Sequence, residues 1–264
     1  MGFDFNGQRV LVTGASSGIG AELAEALARR GAVLALCARR EDRLRETLER
    51  CLTHSPDSRM WVCDLAEPDA VEQLAADVTN AFGGVDILVN NAGVPKRRHV
   101  KDLDADTVTR VMAINYLSPI RLTLALLPSM LERDYGRIVN ISSVAAVLSS
   151  PGEAAYDASK AALSSFSEAM AIDLWNTGVK VLVVYPGVID TELFTIPDND
   201  PLIPGVDSIP ASEVGAAVID ALDNDAHQVF VPAYFADFVA TKSADLPGFM
   251  AGAAEYVKQA RQAT

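Results

Sequence analysis

Short apolar runs rich in β-branched residues recur along the chain, at 9–13, 33–37, 60–63, 85–89, 137–141, 179–184 and 229–231. Their length and composition predict strands. Between them lie longer stretches, such as 19–30, 69–82 and 155–175, whose apolar residues return every three or four positions and so share one face of a helix. Strand and helix alternate throughout. That order predicts an α/β fold, a doubly wound parallel sheet of about seven strands with helices on both faces. No repeat, low-complexity tract or linker divides the sequence. A single domain over 1–264 is therefore expected, with a long substrate loop near 191–212, rich in proline and aspartate, and an apolar tail near 233–264.

Composition narrows the class without naming a chemistry. Hydrophobic residues make up 50% of the 264, which supports a sizeable core. The net charge of -13, from 22 basic and 35 acidic residues, disfavours a general affinity for nucleic acid or anionic membranes. Any anionic ligand must then be held by local groups. Cys37, Cys51 and Cys63 are odd in number and lack metal-ligand spacing, which argues against a disulfide framework or a zinc site and fits a reducing cytoplasm. No basic-then-apolar leader opens the sequence, and no run approaches the ~18 apolar residues of a membrane span. The expectation is a cytoplasmic protein with neither a transmembrane segment nor a metal.

The first strand runs directly into Thr13-Gly14-Ala15-Ser16-Ser17-Gly18-Ile19-Gly20 and then into a helix. Glycines there allow a tight turn and let the backbone approach a pyrophosphate, while the helix N-terminus offers unpaired amides and partial positive charge. The spacing, G-x-x-x-G-x-G, resembles that of the short-chain dehydrogenase/reductase (SDR) family rather than the G-x-G-x-x-G of other Rossmann proteins. Three further stretches resemble motifs of that family, in the expected order: Asn90-Asn91-Ala92-Gly93 after the fourth strand, Tyr156-Asp157-Ala158-Ser159-Lys160 in a helical pattern, and Pro186-Gly187-Val188-Ile189-Asp190-Thr191 after the sixth strand. The matches run from Thr13 to Thr191, and the stretch after Thr191 is the weaker one. The resemblance implies a Rossmann-like fold that moves hydride between a nicotinamide cofactor and a carbonyl or alcohol substrate. It also implies a homodimer or homotetramer.

The end of the second strand bears on cofactor choice, since an acid there accepts from the adenosine ribose 2′-hydroxyl whereas arginine suits a 2′-phosphate. The sequence reads Ala38-Arg39-Arg40, so the acid of an NAD enzyme is missing. A charge-assisted arginine contact is worth about 1.5–3 kcal/mol, roughly a tenfold to hundredfold preference. NADP(H) is expected in preference to NAD(H), chiefly through Arg39 with Arg40 beside it; the plainer alternative is two solvated arginines opening a charged helix. The expected cofactor contacts begin with Gly14, Ser16, Ser17, Gly18, Ile19 and Gly20, Ser16 by analogy with NADP-dependent relatives. By the same resemblance Asp64 and the Leu65 backbone meet the adenine, and Asn91, Ala92 and Gly93 run beside its ribose. Pro186, Gly187, Ile189 and Thr191 then meet the nicotinamide carboxamide.

Tyr156 and Lys160 are four residues apart, which puts both on one helical face. A free tyrosine has a pKa near 10 and is a poor proton carrier at neutral pH. Lowering it by about three units takes roughly 4 kcal/mol, which a lysine and the positive ring of an oxidised nicotinamide together supply. Ser142 and Ser143 close the fifth strand at the carboxyl edge, where open α/β sheets place their ligands. The family interval to the tyrosine selects Ser143 to hydrogen-bond the substrate oxygen and leaves Ser142 as a backbone-satisfying neighbour. Asn115 matches the family asparagine that interrupts a helix and holds a water linking the lysine to solvent. Tyr156 is thus the expected general acid of the reduction, and Lys160 its tuner and a holder of the ribose.

The substrate end is less defined. Leu193, Phe194, Ile196, Leu202 and Ile203 fit either an apolar lid or a packed surface excursion. In the tail Tyr234, Phe235, Phe238, Val239, Leu246, Phe249 and Met250 suggest core packing first, then a subunit contact, then a lid or membrane-surface contact. Lys96-Arg97-Arg98-His99 reads as a solvated basic loop before it reads as an anion site. A serine hydrolase is disfavoured, since no G-x-S-x-G elbow surrounds Ser142 and Ser143 and no histidine is placed to activate them. A cofactor-sensing protein without chemistry is the other alternative, and it has no need of Ser143, Tyr156 and Lys160 together.

Overall fold

A computed structural model of the chain describes residues 2–192, 196–201 and 207–262. Seven strands form one sheet: β1 (Arg9–Thr13), β2 (Val33–Ala38), β3 (Arg59–Val62), β4 (Ile87–Asn90), β5 (Gly136–Ile141), β6 (Val179–Pro186) and β9 (Gln228–Val231). Every pair is parallel, in the order β3-β2-β1-β4-β5-β6-β9. The two-residue strands β7 (Ile189–Asp190) and β8 (Ile209–Pro210), which the sequence pattern does not predict, pair beside the cleft. The helices are α1 (Gly18–Arg29), α2 (Glu41–Leu52), α3 (Pro68–Phe82), α4 (Ala105–Met112), α5 (Ser118–Glu132), α6 (Ala145–Leu148), α7 (Ala154–Asp173), α8 (Ala211–Asp223), α9 (Phe235–Ala244) and α10 (Leu246–Gln262).

The period of two along each strand sorts the core into two layers. Val10 and Val12 of β1, with Leu34 and Leu36 of β2, pack under Leu23 and Leu27 of α1 and Val214 and Val218 of α8. Leu11 and Ala35 turn the other way, against Leu74 and Val78 of α3 and Leu122 and Leu126 of α5. Both faces being covered, the strands read as continuous apolar runs rather than as alternating ones. Strand order reverses between β1 and β4. A ligand crevice opens at such a point, beyond the carboxyl ends of the strands.

Two expectations are corrected. The helical run 105–132, comprising α4, a π-helical turn at Ala113–Leu117 and α5, reaches the length and hydropathy of a membrane span, against the expectation that no segment does. Its Val111, Ile114, Leu122, Leu126 and Met130 are buried, so core packing accounts for part of that hydropathy. The tail is not core. Among the described residues, α9 and the segment 246–260 of α10 carry no buried side chain, and the two helices pack on each other and over the cleft.

Candidate active site

Thr13 ends β1 with its hydroxyl accepting from the amides of Asn91 (3.0 Å) and Ala92 (3.1 Å) and donating to the Val89 carbonyl (3.2 Å). The Asn91 amide donates back to the carbonyls of Thr13 (2.9 Å) and Gly14 (3.3 Å), so its side chain braces the glycine loop. Gly14, at φ +67, has no room for a Cβ, which would meet Ala92 Cα at 2.8 Å. A Cβ on Gly20 would strike the Asn91 side chain and the Gly14 carbonyl, so the helix starts as close to the loop as a glycine allows. Thr191 reaches over from beyond β6, within 2.9 Å of where a Cβ on Gly18 would stand. Ser16, Ser17, Ile19, Leu65, Pro186, Gly187 and Ile189 line the same cleft of about 1200 Å³, as do the loop glycines Gly14 and Gly18. A groove that backbone glycines keep open, at a helix N-terminus, fits a dinucleotide pyrophosphate.

Across the crevice β5 delivers Ser143 and α7 delivers Tyr156 and Lys160, one helical turn apart. Lys160 is buried. Its Nζ donates to the Ile141 carbonyl (2.7 Å) and lies 5.9 Å from the Tyr156 ring centre, beside Gly93, where a Cβ would come within 3.5 Å of it. Burial lowers the Lys160 ammonium to about 8. Burial also raises the Tyr156 phenol above its ordinary value, with a hydrogen bond from Ser143 opposing and the Glu153 and Asp157 charges reinforcing the rise. Tyr156 therefore stands protonated, as a general acid requires. The Ser143 hydroxyl accepts from the Ala145 amide (3.1 Å), while Ser142 is absorbed by the Lys160 carbonyl (3.1 Å) and the Ser164 hydroxyl (2.8 Å). Both serines line the cleft.

Asn115 sits in the π-helical turn, fully buried. Its Oδ1 accepts from the Val94 amide (2.8 Å), and its Nδ2 donates to the Val94 carbonyl (3.0 Å) and the Ser159 hydroxyl (3.0 Å). Ser159 in turn donates to the Tyr156 carbonyl (2.7 Å). The widened turn leaves room for this side chain to tie the segment after β4 to α7, a contact that sequence spacing does not reveal.

At the adenosine end the two arginines divide. Arg39 turns to Asp64, at 3.8 Å, while the other Asp64 oxygen accepts from the Ala66 amide (3.0 Å). Arg40, expected to be secondary, touches the glycine loop, donating to Ser17 (2.7 Å) and Ser16 (3.3 Å). It also pairs with Glu192 (2.6 Å), as does Arg43 (3.1 Å). Sequence reasoning missed Glu192 and Arg43, because a charge pair between distant segments has no spacing signal.

The rim corrects the reading of 96–99 as a solvated loop. Lys96 reaches the Asp198 carboxylate (2.8 Å) and Arg98 the same group (2.6 Å), while the His99 amide donates to Asp200 (3.2 Å). Arg97 is 5% exposed; its Nε donates to the Asp200 carbonyl (2.8 Å) and its Nη1 lies 3.9 Å from Glu153. The basic run is therefore clasped to residues 198–200. Ile196 lines the cleft, as do Ala253, Tyr256 and Ala260 of the tail, whereas Leu193, Phe194, Leu202 and Ile203 lie outside the described residues.

Together the crevice at the strand reversal, the glycine-kept groove and a tyrosine one helical turn from a buried lysine define a dinucleotide-binding class of α/β fold. Residues 8–200 match the family model of the short chain dehydrogenases, and the chain belongs to that family. It is 42% identical over 191 residues to the dehydrogenase/reductase SDR family member 7B of Mus musculus, covering 70% of this chain and 58% of that relative. The chain thus spans little more than half the length of the curated relative it matches. The crystal structure of a short chain dehydrogenase/reductase from Burkholderia phymatum in complex with NAD superposes with a TM-score of 0.84, at 26% identity over 92% of this chain and 95% of that one. A metagenomic short-chain oxidoreductase in complex with NADP gives 0.75 at 30% identity, covering 86% and 98%.

Proposed function

We propose that the protein transfers hydride between NADP(H) and a carbonyl or alcohol on an apolar substrate, with Tyr156 as the acid-base group. The observation carrying this reading is that Tyr156, the buried Lys160 and Ser143 line one cleft with the glycine loop, the Lys160 ammonium 5.9 Å from the Tyr156 ring centre. The nicotinamide, when bound, supplies or accepts the hydride. Ser143 hydrogen-bonds the substrate oxygen and Tyr156 gives it a proton in the reductive direction. Lys160 favours the phenolate that results and holds the cofactor ribose. Asn115 keeps the segment after β4 fixed against α7, so that Gly93 and Lys160 stay adjacent.

Preference for NADP(H) rests on Ala38 in place of an acid and on Arg39 and Arg40 at the end of β2, with Arg40 already on the loop serines. Similar structures hold either NAD or NADP, so the choice belongs to these side chains rather than to the fold. Apolar walls from Val94, Val144, Val188, Ile196 and Ala253 favour an apolar substrate. The test is Tyr156→Phe assayed by NADPH oxidation with ketones and aldehydes. A general acid contributes about 10²- to 10⁴-fold. Turnover is expected to fall by about that factor with NADPH binding retained, and near-normal turnover would remove Tyr156 from this role.

A further inference from the structure

Arg40 stands at the N-cap of α2 and Arg43 one turn on, so both guanidinium groups leave the same side of the helix start. One carboxylate joins them: Glu192 Oε2 lies 2.6 Å from Arg40 and Oε1 lies 3.1 Å from Arg43. The second amino group of Arg40 meanwhile holds the hydroxyls of Ser17 and Ser16. Two guanidinium groups converging on one anion, with two hydroxyls beside Arg40, form a donor set that phosphate oxygens take. The anion present comes from a segment 152 residues away, directly after Thr191, and it reaches across the mouth of the cofactor cleft.

The exchange of this carboxylate for a phosphate is physically cheap. All three side chains are close to half exposed, where an ion pair is weak and screened. The hydrogen bond from Arg40 and the charges of Arg40 and Arg43 hold the Glu192 carboxyl below its ordinary range, so it remains an anion at neutral pH. A phosphate monoester carries about -1.5 to -2 at pH 7 and offers three acceptor oxygens. It outmatches a single carboxylate for the same donors.

We propose that Glu192 is a built-in stand-in for the cofactor 2′-phosphate: it occupies Arg40 and Arg43 in the free protein and yields both to NADP(H), which makes Arg43 a determinant of cofactor specificity. This rests on the reading of the cleft as an NADP(H) site.

The test uses adenosine 2′,5′-bisphosphate and, as the probe without a 2′-phosphate, 5′-AMP, titrated calorimetrically into the full chain. Wild type is expected to bind the bisphosphate more tightly than 5′-AMP. Glu192→Ala is expected to tighten the bisphosphate about three- to fivefold, the size of an exposed ion pair no longer in competition, and to leave 5′-AMP unmoved. Arg43→Ala, at an exposed position, is expected to weaken the bisphosphate about tenfold, again sparing 5′-AMP. Equal tightening of both probes by Glu192→Ala would reduce Glu192 to a general repulsion, and weakening or no change would make it a brace for the arginines; each overturns the stand-in. If wild type does not distinguish the two probes, the NADP(H) reading fails as well, whereas a discriminating wild type indifferent to Glu192→Ala overturns this inference alone.

Discussion

Lys160 shows how a single buried group links fold and chemistry. Its ammonium is enclosed by protein, with one carbonyl acceptor and a phenol ring nearby, so burial lowers it from 10.5 to about 8. The unfolded chain therefore binds more protons than the folded one between about pH 8 and 10.5, and the unfolding free energy rises with pH across that window. Below it both states hold the proton, and the folded protein carries the full cost of a buried charge. Lys160→Met is expected to abolish the rise, read as the difference between wild-type and variant urea midpoints from pH 7 to 10.5. Parallel midpoints across that range would mean that Lys160 is well solvated. At neutral pH the lysine is a cation, the state in which it favours a phenolate on Tyr156. A motif at fixed spacing on one helix is legible in sequence because the helix repeat enforces the geometry. The contacts of the Asn115 side chain with Val94 and Ser159, across 21 and 44 residues, have no such spacing signal.

At the scale of elements, the sequence pattern identifies every strand of the main sheet to within about two residues, because strands covered on both faces are apolar throughout. It does not find β7 and β8, which are two residues long and owe their existence to the cleft rim. The same limit hides the clasp between 96–99 and 198–200, whose partners are about a hundred positions apart. Each exposed pair in it is weak, and the network acts through the several contacts that share Asp198 and Asp200. Asp198→Asn is expected to raise KM for a carbonyl substrate about two- to fivefold with kcat held, and the wild-type KM to rise in the same sense with added salt. Kinetics at low and high ionic strength check both, and a salt-independent KM would mean that the clasp does not shape the site. Within the glycine loop the constraint is steric instead. Gly20→Ala would drive a methyl into Asn91 and the Gly14 carbonyl, so loss of cofactor binding with about 1–3 kcal/mol of destabilisation is expected from calorimetry and denaturant melts.

For the whole molecule, the inner face of α5 seals the core while its outer face carries an unpaired stripe. Leu117, just before the helix, Leu124 and Leu131 are 46%, 56% and 40% exposed at seven-residue intervals. Exposed leucines recurring on one helix face are a feature of association surfaces. We read the stripe as the contact of a homodimer or homotetramer, and Leu124→Glu is expected to shift the light-scattering mass towards one protomer; an unshifted assembly would place the contact elsewhere. Cleft and rim serve one proposal, that this chain moves hydride to or from a carbonyl carbon with Tyr156 supplying the proton. Deuteride transfer tests it most directly: NADPH deuterated at C4, incubated with the protein and a set of apolar ketones and aldehydes, and the alcohols analysed by mass spectrometry. One deuterium on the former carbonyl carbon, absent with Tyr156→Phe, is the predicted result. NADPH that binds yet delivers no deuterium to any carbonyl would contradict it.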